Sequence, residues 1–192
     1  LNVEPLLLHL LILSDFCGER WREAANNKNL VYEDILKKIH GRNLTKRNVN
    51  NDYSLPDFML LMECLGITAW RGNGRAGEET TFDEVRDNHA RHRLKELNGI
   101  TATNMDSIIL QTHARRVEGE SNGFEFIHKS FGEYLAARGI ISLAQMTYAR
   151  RSNYIDPASE QQALSHWVKI IKDADITREI IGFVNNEAKL RF

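Results

Sequence analysis

Three places in this chain bring together residue types that can do chemistry, and each needs a particular backbone around it. The run GNGRAG (residues 72–77) has the GxGxxG spacing of dinucleotide-binding turns and half the spacing of a P-loop, where glycines let backbone N–H groups approach phosphate. Both need a strand before the glycines, and a P-loop needs Lys and then Ser or Thr after them. A helical pattern precedes this run, and Glu78 and Glu79 follow it, so the site would repel phosphate and a mobile loop between helices is expected. His89, His92 and Glu96 recur at helical spacing and could share a face as a divalent-metal site. Nothing supplies further ligands, and the surrounding RDNHARHR (residues 86–93) reads as a solvated helix face, so no bound metal is expected. The third place is His128 with Lys129, just ahead of a helix start. Free N–H groups and positive partial charge at a helix N-terminus could there help to hold a phosphate oxygen. Ser130 and Glu133 compete for those donors, so a histidine that only fixes a strand-to-helix turn is the other reading. No serine, cysteine or threonine stands in a nucleophile-elbow pattern.

The elements that must carry these residues are mostly helices. Pro5 suits a first helical turn, and residues 6–13 are apolar nearly all round, as in a buried helix. A polar break over residues 18–29 follows. Leu30, Val31, Ile35 and Ile39 then mark a short helix ending near Gly41, and residues 42–52 read as a polar linker. From Ser54 the pattern sharpens, with Phe58, Leu61, Met62 and Leu65 at i, i+3, i+4 and i+7. A capping box at Thr81 and Glu84 opens a helix to about Leu97, and Asn104 caps another over residues 105–112. Two β-prone stretches, residues 113–118 and 124–128, flank an Asn-Gly turn and predict a hairpin. Three helices followed by a hairpin is the winged-helix order. A second capping box, Ser130 and Glu133, launches a helix in which Phe131, Tyr134 and Leu135 share a face. Asp156 and Pro157 start the next helix, with an apolar stripe of Leu164, Trp167, Val168 and Ile171. A last helix carries Ile176, Ile180, Phe183 and Val184. The expected fold class is mainly α: helical bundle segments around a winged-helix domain with one small β-hairpin.

Composition narrows the function. A chain of 192 residues, 42% hydrophobic, can bury one ordinary core or two small ones. A formal net charge of -1 removes the long-range field that non-specific nucleic-acid binders use. The third helix of the winged-helix segment, MDSIILQT (residues 105–112), has no Lys or Arg. Arg115 and Arg116 on the wing are the only basic pair nearby, and they would carry the DNA-binding alternative. Cys17 and Cys64 sit in apolar helical patterns as small buried hydrophobes, which suits a reducing cytoplasm. The apolar run at residues 6–13 is far shorter than the roughly 20 residues of a membrane span, so no membrane partner is expected. Beginning at Leu1 and ending at Phe192 without a helix terminator, the chain is expected to be a piece of a longer protein.

The string FEFIHKSFGEYLAA (residues 124–137) resembles the winged-helix signature of NACHT-type signal-transduction ATPases, with its aromatic strand, histidine, Ser-Phe and Glu-Tyr-x-Ala-Ala. EPLLLHLL (residues 4–11) resembles the first helix after that family's nucleotide-binding core, and LVYEDIL (residues 30–36) the helix that follows. One departure is Gly132, where many members carry glutamine. The resemblance implies a segment at residues 1–53 following an NTPase core outside this sequence, a winged-helix-like domain at 54–150 and a helical segment at 151–192. It implies ADP or ATP shared with that core, with His128 contacting the β-phosphate, Lys129 beside it and Pro5 packing by the adenine. The implied partners are the protein's own NTPase core and a C-terminal sensor, such as pentapeptide repeats, with a homo-oligomer forming on activation. The chain has no Walker A lysine and no evident Walker B carboxylates, so no ATP hydrolysis of its own is expected. A helical interaction scaffold without a nucleotide role is the competing expectation, with Trp70, Trp167 and the helices after residue 155 as its surface.

Overall fold

Ser54 opens the helix around which the other elements are arranged. The computed structural model describes residues 19–46, 54–72, 76–85, 114–117, 123–153, 157–171 and 174–192. Before the central helix come α1 (Glu19–Asn26) and α2 (Asn29–Lys46); the central helix itself is α3 (Leu55–Arg71). It is followed by β1 (Ala76–Glu78), α4 (Glu79–Val85), β2 (Ala114–Val117), β3 (Gly123–Phe126), α5 (Lys129–Asn153), α6 (Pro157–Ile171) and α7 (Arg178–Arg191). The Ser54 hydroxyl accepts from the Asp57 N–H at 3.3 Å, and Pro56 sits in the first turn, where its missing N–H costs nothing. Every residue of α3 from Phe58 to Trp70 is buried, so the expected one-sided stripe is a helix enclosed on all sides.

The closest neighbour of α3 is α5. A Cβ built on Gly66 would lie 2.5 Å from the Ala136 nitrogen and would collide with the Leu135 Cβ, so the two backbones touch where only glycine fits. Around this contact one core gathers Val31 and Leu36 from α2, Leu61, Met62 and Leu65 from α3, Phe126 from β3, Phe131 and Leu135 from α5, Ile170 from α6 and Phe183 from α7. An aromatic series runs through it. Phe126 meets Phe131 at 6.0 Å, Phe131 meets Tyr32 at 5.9 Å, Tyr32 stacks on Tyr134 at 4.9 Å, and Phe183 meets Tyr32 edge-on at 5.4 Å. Residues from all three expected segments therefore share one core.

The molecule is mainly α with one small sheet, as the pattern predicts. The hairpin pairs β2 with β3 antiparallel, with Arg115 opposite Glu125 and Arg116 opposite Phe124. The sheet has a third strand, because β1 pairs with the other edge of β3, giving the order β1-β3-β2. This corrects the expectation of a loop at residues 72–77: the end of GNGRAG is a strand. Gly77 faces Phe124 there, and an added Cβ would lie 2.6 Å from Thr68 Cγ2, so this glycine serves packing. Helix, strand, helix and hairpin follow in this order with β3 central in the sheet; residues 86–113, including the expected third helix, lie outside the described residues.

Other boundaries also move. The polar break contains α1, and α2 runs past Gly41 to Lys46 into the expected linker. Helix α4 begins at Glu79, two residues before the Thr81 box, and Glu84 pairs with Arg71 at 3.3 Å. On α6, Pro157 is the first residue as expected, but Leu164 (50% exposed) and Val168 (53%) face outward, while Ile170 is the buried anchor. Ile176 precedes α7 and is exposed. Cys64 is buried, its carbonyl accepting from the Thr68 hydroxyl at 2.7 Å, whereas Cys17 lies outside the described residues. No described helix is long and apolar enough to cross a membrane.

The Gly66 contact generates a prediction. Gly66→Ala should destabilise the chain by roughly 2 kcal/mol, because the clash is with backbone that cannot rotate away. A helix-propensity gain of about 1 kcal/mol from alanine is too small to offset it. Urea unfolding followed by circular dichroism reads this directly, and an unchanged midpoint would rule out the close packing of α3 on α5.

Candidate functional site

The strand-to-helix corner is the site the sequence singled out. Strand β3 ends at Phe126, Ile127 is exposed, and His128 is half-buried at the turn, its carbonyl accepting from the Phe131 N–H at 3.1 Å. Helix α5 therefore begins at Lys129, one residue before the expected Ser130 cap. Behind it, an added Cβ on Gly132 would lie 2.8 Å from the Phe126 ring. The glycine that departs from the resembled pattern thus lets the last aromatic of β3 pack close against α5.

Glu133 does not close a capping box. It is buried and accepts from the Thr177 hydroxyl at 3.2 Å, and Lys129 Nζ lies 3.6 Å from the same oxygen. Burial pushes its carboxyl above the ordinary 4.5, Lys129 and Thr177 pull it back, and Glu179 adds to the rise. Thr177 in turn caps α7, accepting from the Ile180 N–H at 3.2 Å. The carboxylate that was expected to crowd the start of α5 is instead turned inward between two helix starts.

Pro5 lies outside the described residues, as do His89, His92 and Glu96 and the helix at residues 105–112. The structure places the backbone of Arg115 and Arg116 on β2, an outer strand of the sheet, and their side chains lie outside the description. Among the described residues no three His, Cys, Asp or Glu side chains group as metal ligands. Trp70 is not an open surface: it is buried, and its Nε1 donates to the Asp175 carbonyl at 2.6 Å. Trp167 packs partly buried against the core.

A second cluster was not read from the sequence. Glu63, 3% exposed in the middle of α3, accepts from Arg138 Nε at 3.1 Å and from the Ser142 hydroxyl at 2.9 Å, both on α5. Arg191 of α7 donates to Glu187 at 2.8 Å, to Ser142 at 2.7 Å and to Gln145 at 3.1 Å. Arg138 also reaches Glu187 at 3.4 Å. Burial works against the charge on Arg138, but the Glu63 and Glu187 carboxylates favour it, and the guanidinium is held above its ordinary value. Burial raises the neighbouring Tyr134 phenol, so it stays protonated. A sequence signal did exist: Glu63 interrupts LLMECLG and Arg138 interrupts LAARGII, each a lone charge in an apolar helix, and a buried charge requires a partner. Ser142 is tied to a carboxylate and an arginine, an arrangement that suits binding and clamping.

Comparisons with protein families, with curated proteins and with solved structures gave no match to this chain.

Two outcomes are expected. Arg138→Met removes one of the two guanidinium groups that pair with Glu63 and Glu187 and should cost roughly 3 kcal/mol in chemical unfolding, the scale for removing one partner of a buried pair; a cost near zero would mean the cluster is solvated. Glu133 binds its proton more tightly folded than unfolded, so it weakens folding as pH rises from about 4.5 through its raised value and lowers stability by a constant amount above that. Glu133→Gln should therefore gain on the wild type across that window. Unfolding midpoints taken from pH 4 to 8 test this, and parallel curves for the two proteins would contradict the inward, buried carboxyl.

Proposed function

We propose that this chain is the regulatory helical and winged-helix segment of an ATP/ADP-dependent signalling switch of the NACHT type, closing over nucleotide held by a core outside this sequence. The observation that supports it is the corner at His128. The central strand of the three-stranded sheet delivers a half-buried imidazole, followed by Lys129, to the start of a 25-residue helix. Helix starts carry free N–H groups and positive partial charge, and Glu133, the first acid of that helix, is turned inward with a raised pKa. In this reading His128 and Lys129 meet phosphate oxygens, Pro5 lies by the adenine, and ADP holds the segment against the core until exchange for ATP releases it to oligomerise. Hydrolysis belongs to the core.

A helical scaffold that binds a protein partner is the second reading, favoured by Leu164 and Val168, which lie four residues apart and half exposed on α6. DNA binding through Arg115 and Arg116 has no comparable observation behind it.

The deciding experiment uses the complete protein that contains this segment, titrated with ADP and ATP as wild type and as His128→Ala. The switch reading expects the variant to lose ADP affinity by about tenfold or more, the scale of one charge-assisted contact, or to signal without stimulus. Absence of nucleotide binding in the wild type, or unchanged ADP affinity and signalling in the variant, would overturn it and leave the scaffold reading.

A further inference from the structure

Helices α3 and α7 are held by opposite means. Residues 58–70 of α3 are buried without a break, whereas of the 14 residues of α7 only Ile180, Phe183 and Glu187 are buried. The docked position of α7 hides two large hydrophobes and leaves Ile181, Leu190 and the capping Phe192 exposed. Apolar burial alone therefore gives that position no large advantage. Gly182, in the middle of α7, lowers it further. No described atom lies within 4 Å of a Cβ added there, so in contrast to Gly66 the described packing does not require a glycine, and the helix loses stability against alanine.

Polar contacts supply the rest, and they come from several neighbours. The turn between α1 and α2 gives three in succession. Asn27 Nδ2 donates to the Asn186 carbonyl at 2.9 Å, Lys28 Nζ stands 4.0 Å over the Phe183 ring, and Asn29 Nδ2 donates to the Phe183 carbonyl and to Glu187, each at 2.9 Å. Trp70 and Glu133 hold the Asp175 carbonyl and the Thr177 hydroxyl, and Arg191 donates to Ser142 and Gln145. Each of these exchanges for water when α7 leaves, so the net gain from each is small.

The ion cluster divides along the same line. Its two shortest charge pairs lie within the parts: Glu63 with Arg138 at 3.1 Å between α3 and α5, and Glu187 with Arg191 at 2.8 Å along α7. The pairs that cross between the parts are longer, Arg138 to Glu187 at 3.4 Å and Arg191 to Glu63 at 3.6 Å. Departure of α7 therefore separates two neutral pairs and leaves Glu63 and Arg138 with each other, which avoids the large cost of an orphaned buried charge.

We propose that α7 is a latch that releases from the rest of the chain as a unit while α3 and α5 stay packed with Glu63 and Arg138 paired. A helix of this length is marginal alone in water, so release and melting of α7 occur together. Release uncovers Trp70 and the stacked Tyr32 and Tyr134, both of which Phe183 meets edge-on when docked. The proposal does not rest on the switch reading.

Residue-resolved hydrogen exchange of the 192-residue chain by NMR, at several low urea concentrations, tests it. Release as a unit predicts one shared opening for the amides of residues 182–187, about tenfold or more above that of the slowest α3 amides. That opening should rise with urea, because release exposes surface and end fraying does not. Two variants separate release from global unfolding. Ile67→Val removes the Cδ1 methyl that fills the space beside Gly139 between α3 and α5. It should speed the slowest α3 amides about fivefold and leave the α7 amides within about twofold, because α3 and α5 stay packed when α7 leaves. Gly182→Ala should slow the α7 amides about fivefold. If α7 and α3 amides share one rate and speed up together in Ile67→Val, α7 belongs to a single cooperative unit and the proposal is overturned. Urea-independent exchange within residues 182–187, or an unchanged α7 rate in Gly182→Ala, overturns it as well.

Discussion

The contact between Gly66 and the Leu135–Ala136 backbone sets the distance between α3 and α5, and most of the remaining structure follows from that distance. Helices this close leave no room for water between them. Glu63, one turn earlier on α3, and Arg138 and Ser142, one and two turns later on α5, are brought together in a space with little access to solvent. A carboxylate in that position must be neutralised or paired, and it is paired. At the other end of α3 the chain turns back into β1, where Thr68 rests on Gly77 and Gly77 on the Phe124 ring, so the sheet is anchored to the same helix.

Helix α7 is attached differently. Its buried residues are Ile180, Phe183 and Glu187, a narrow apolar face for a 14-residue helix. At roughly 1.5–3 kcal/mol for each large apolar side chain buried, the two hydrophobes give it only a few kcal/mol. Directional contacts fix its position: Asn27 and Asn29 donate to the Asn186 and Phe183 carbonyls, Asn29 also donates to Glu187, Trp70 holds the Asp175 carbonyl, and Thr177 is tied to Glu133. Buried polar contacts of this kind add little net stability, but they leave few alternative registers, since a shift of one residue would orphan several at once. Because α7 touches α2 near the start of the described chain and α5 near its middle, it joins segments that the sequence presents as separate.

The fold class was legible in the sequence because it rests on period and punctuation, and these are local. Ser54, Pro56, Pro157 and the alternation in GFEF each act within a few residues, and each lies where its local rule places it. Failures came where a distant partner decides. Gly77 reads as loop until Phe124 is placed opposite it. Ser130 and Glu133 read as a capping box until Thr177, 44 residues on, claims the carboxylate. Leu164 and Val168 read as core because α6 is periodic, but periodicity does not say which side of a stripe meets a neighbour. The ion cluster was hidden for the same reason: Glu63 and Arg138 are 75 residues apart, and each alone looks like a lone interruption of an apolar run.

Glu133 connects the two places of interest in a way that neither shows separately. One oxygen faces Lys129, at the start of α5, and the Thr177 hydroxyl, which caps α7. Its charge is tolerated in a buried position because Lys129 lies 3.6 Å away. In the switch reading a phosphate group engages this end of α5 and competes for Lys129. Glu133 would then keep only the Thr177 hydroxyl, and its raised carboxyl would shift further toward the protonated form. A protonated carboxyl accepts a weaker hydrogen bond from Thr177, and the cap of α7 loosens in turn. In that reading a ligand event at the His128 corner would have a short physical route to the helix whose other end, at Glu187 and Arg191, helps to close the ion cluster. The route needs no long-range pathway, because it passes through one side chain shared by two helix starts.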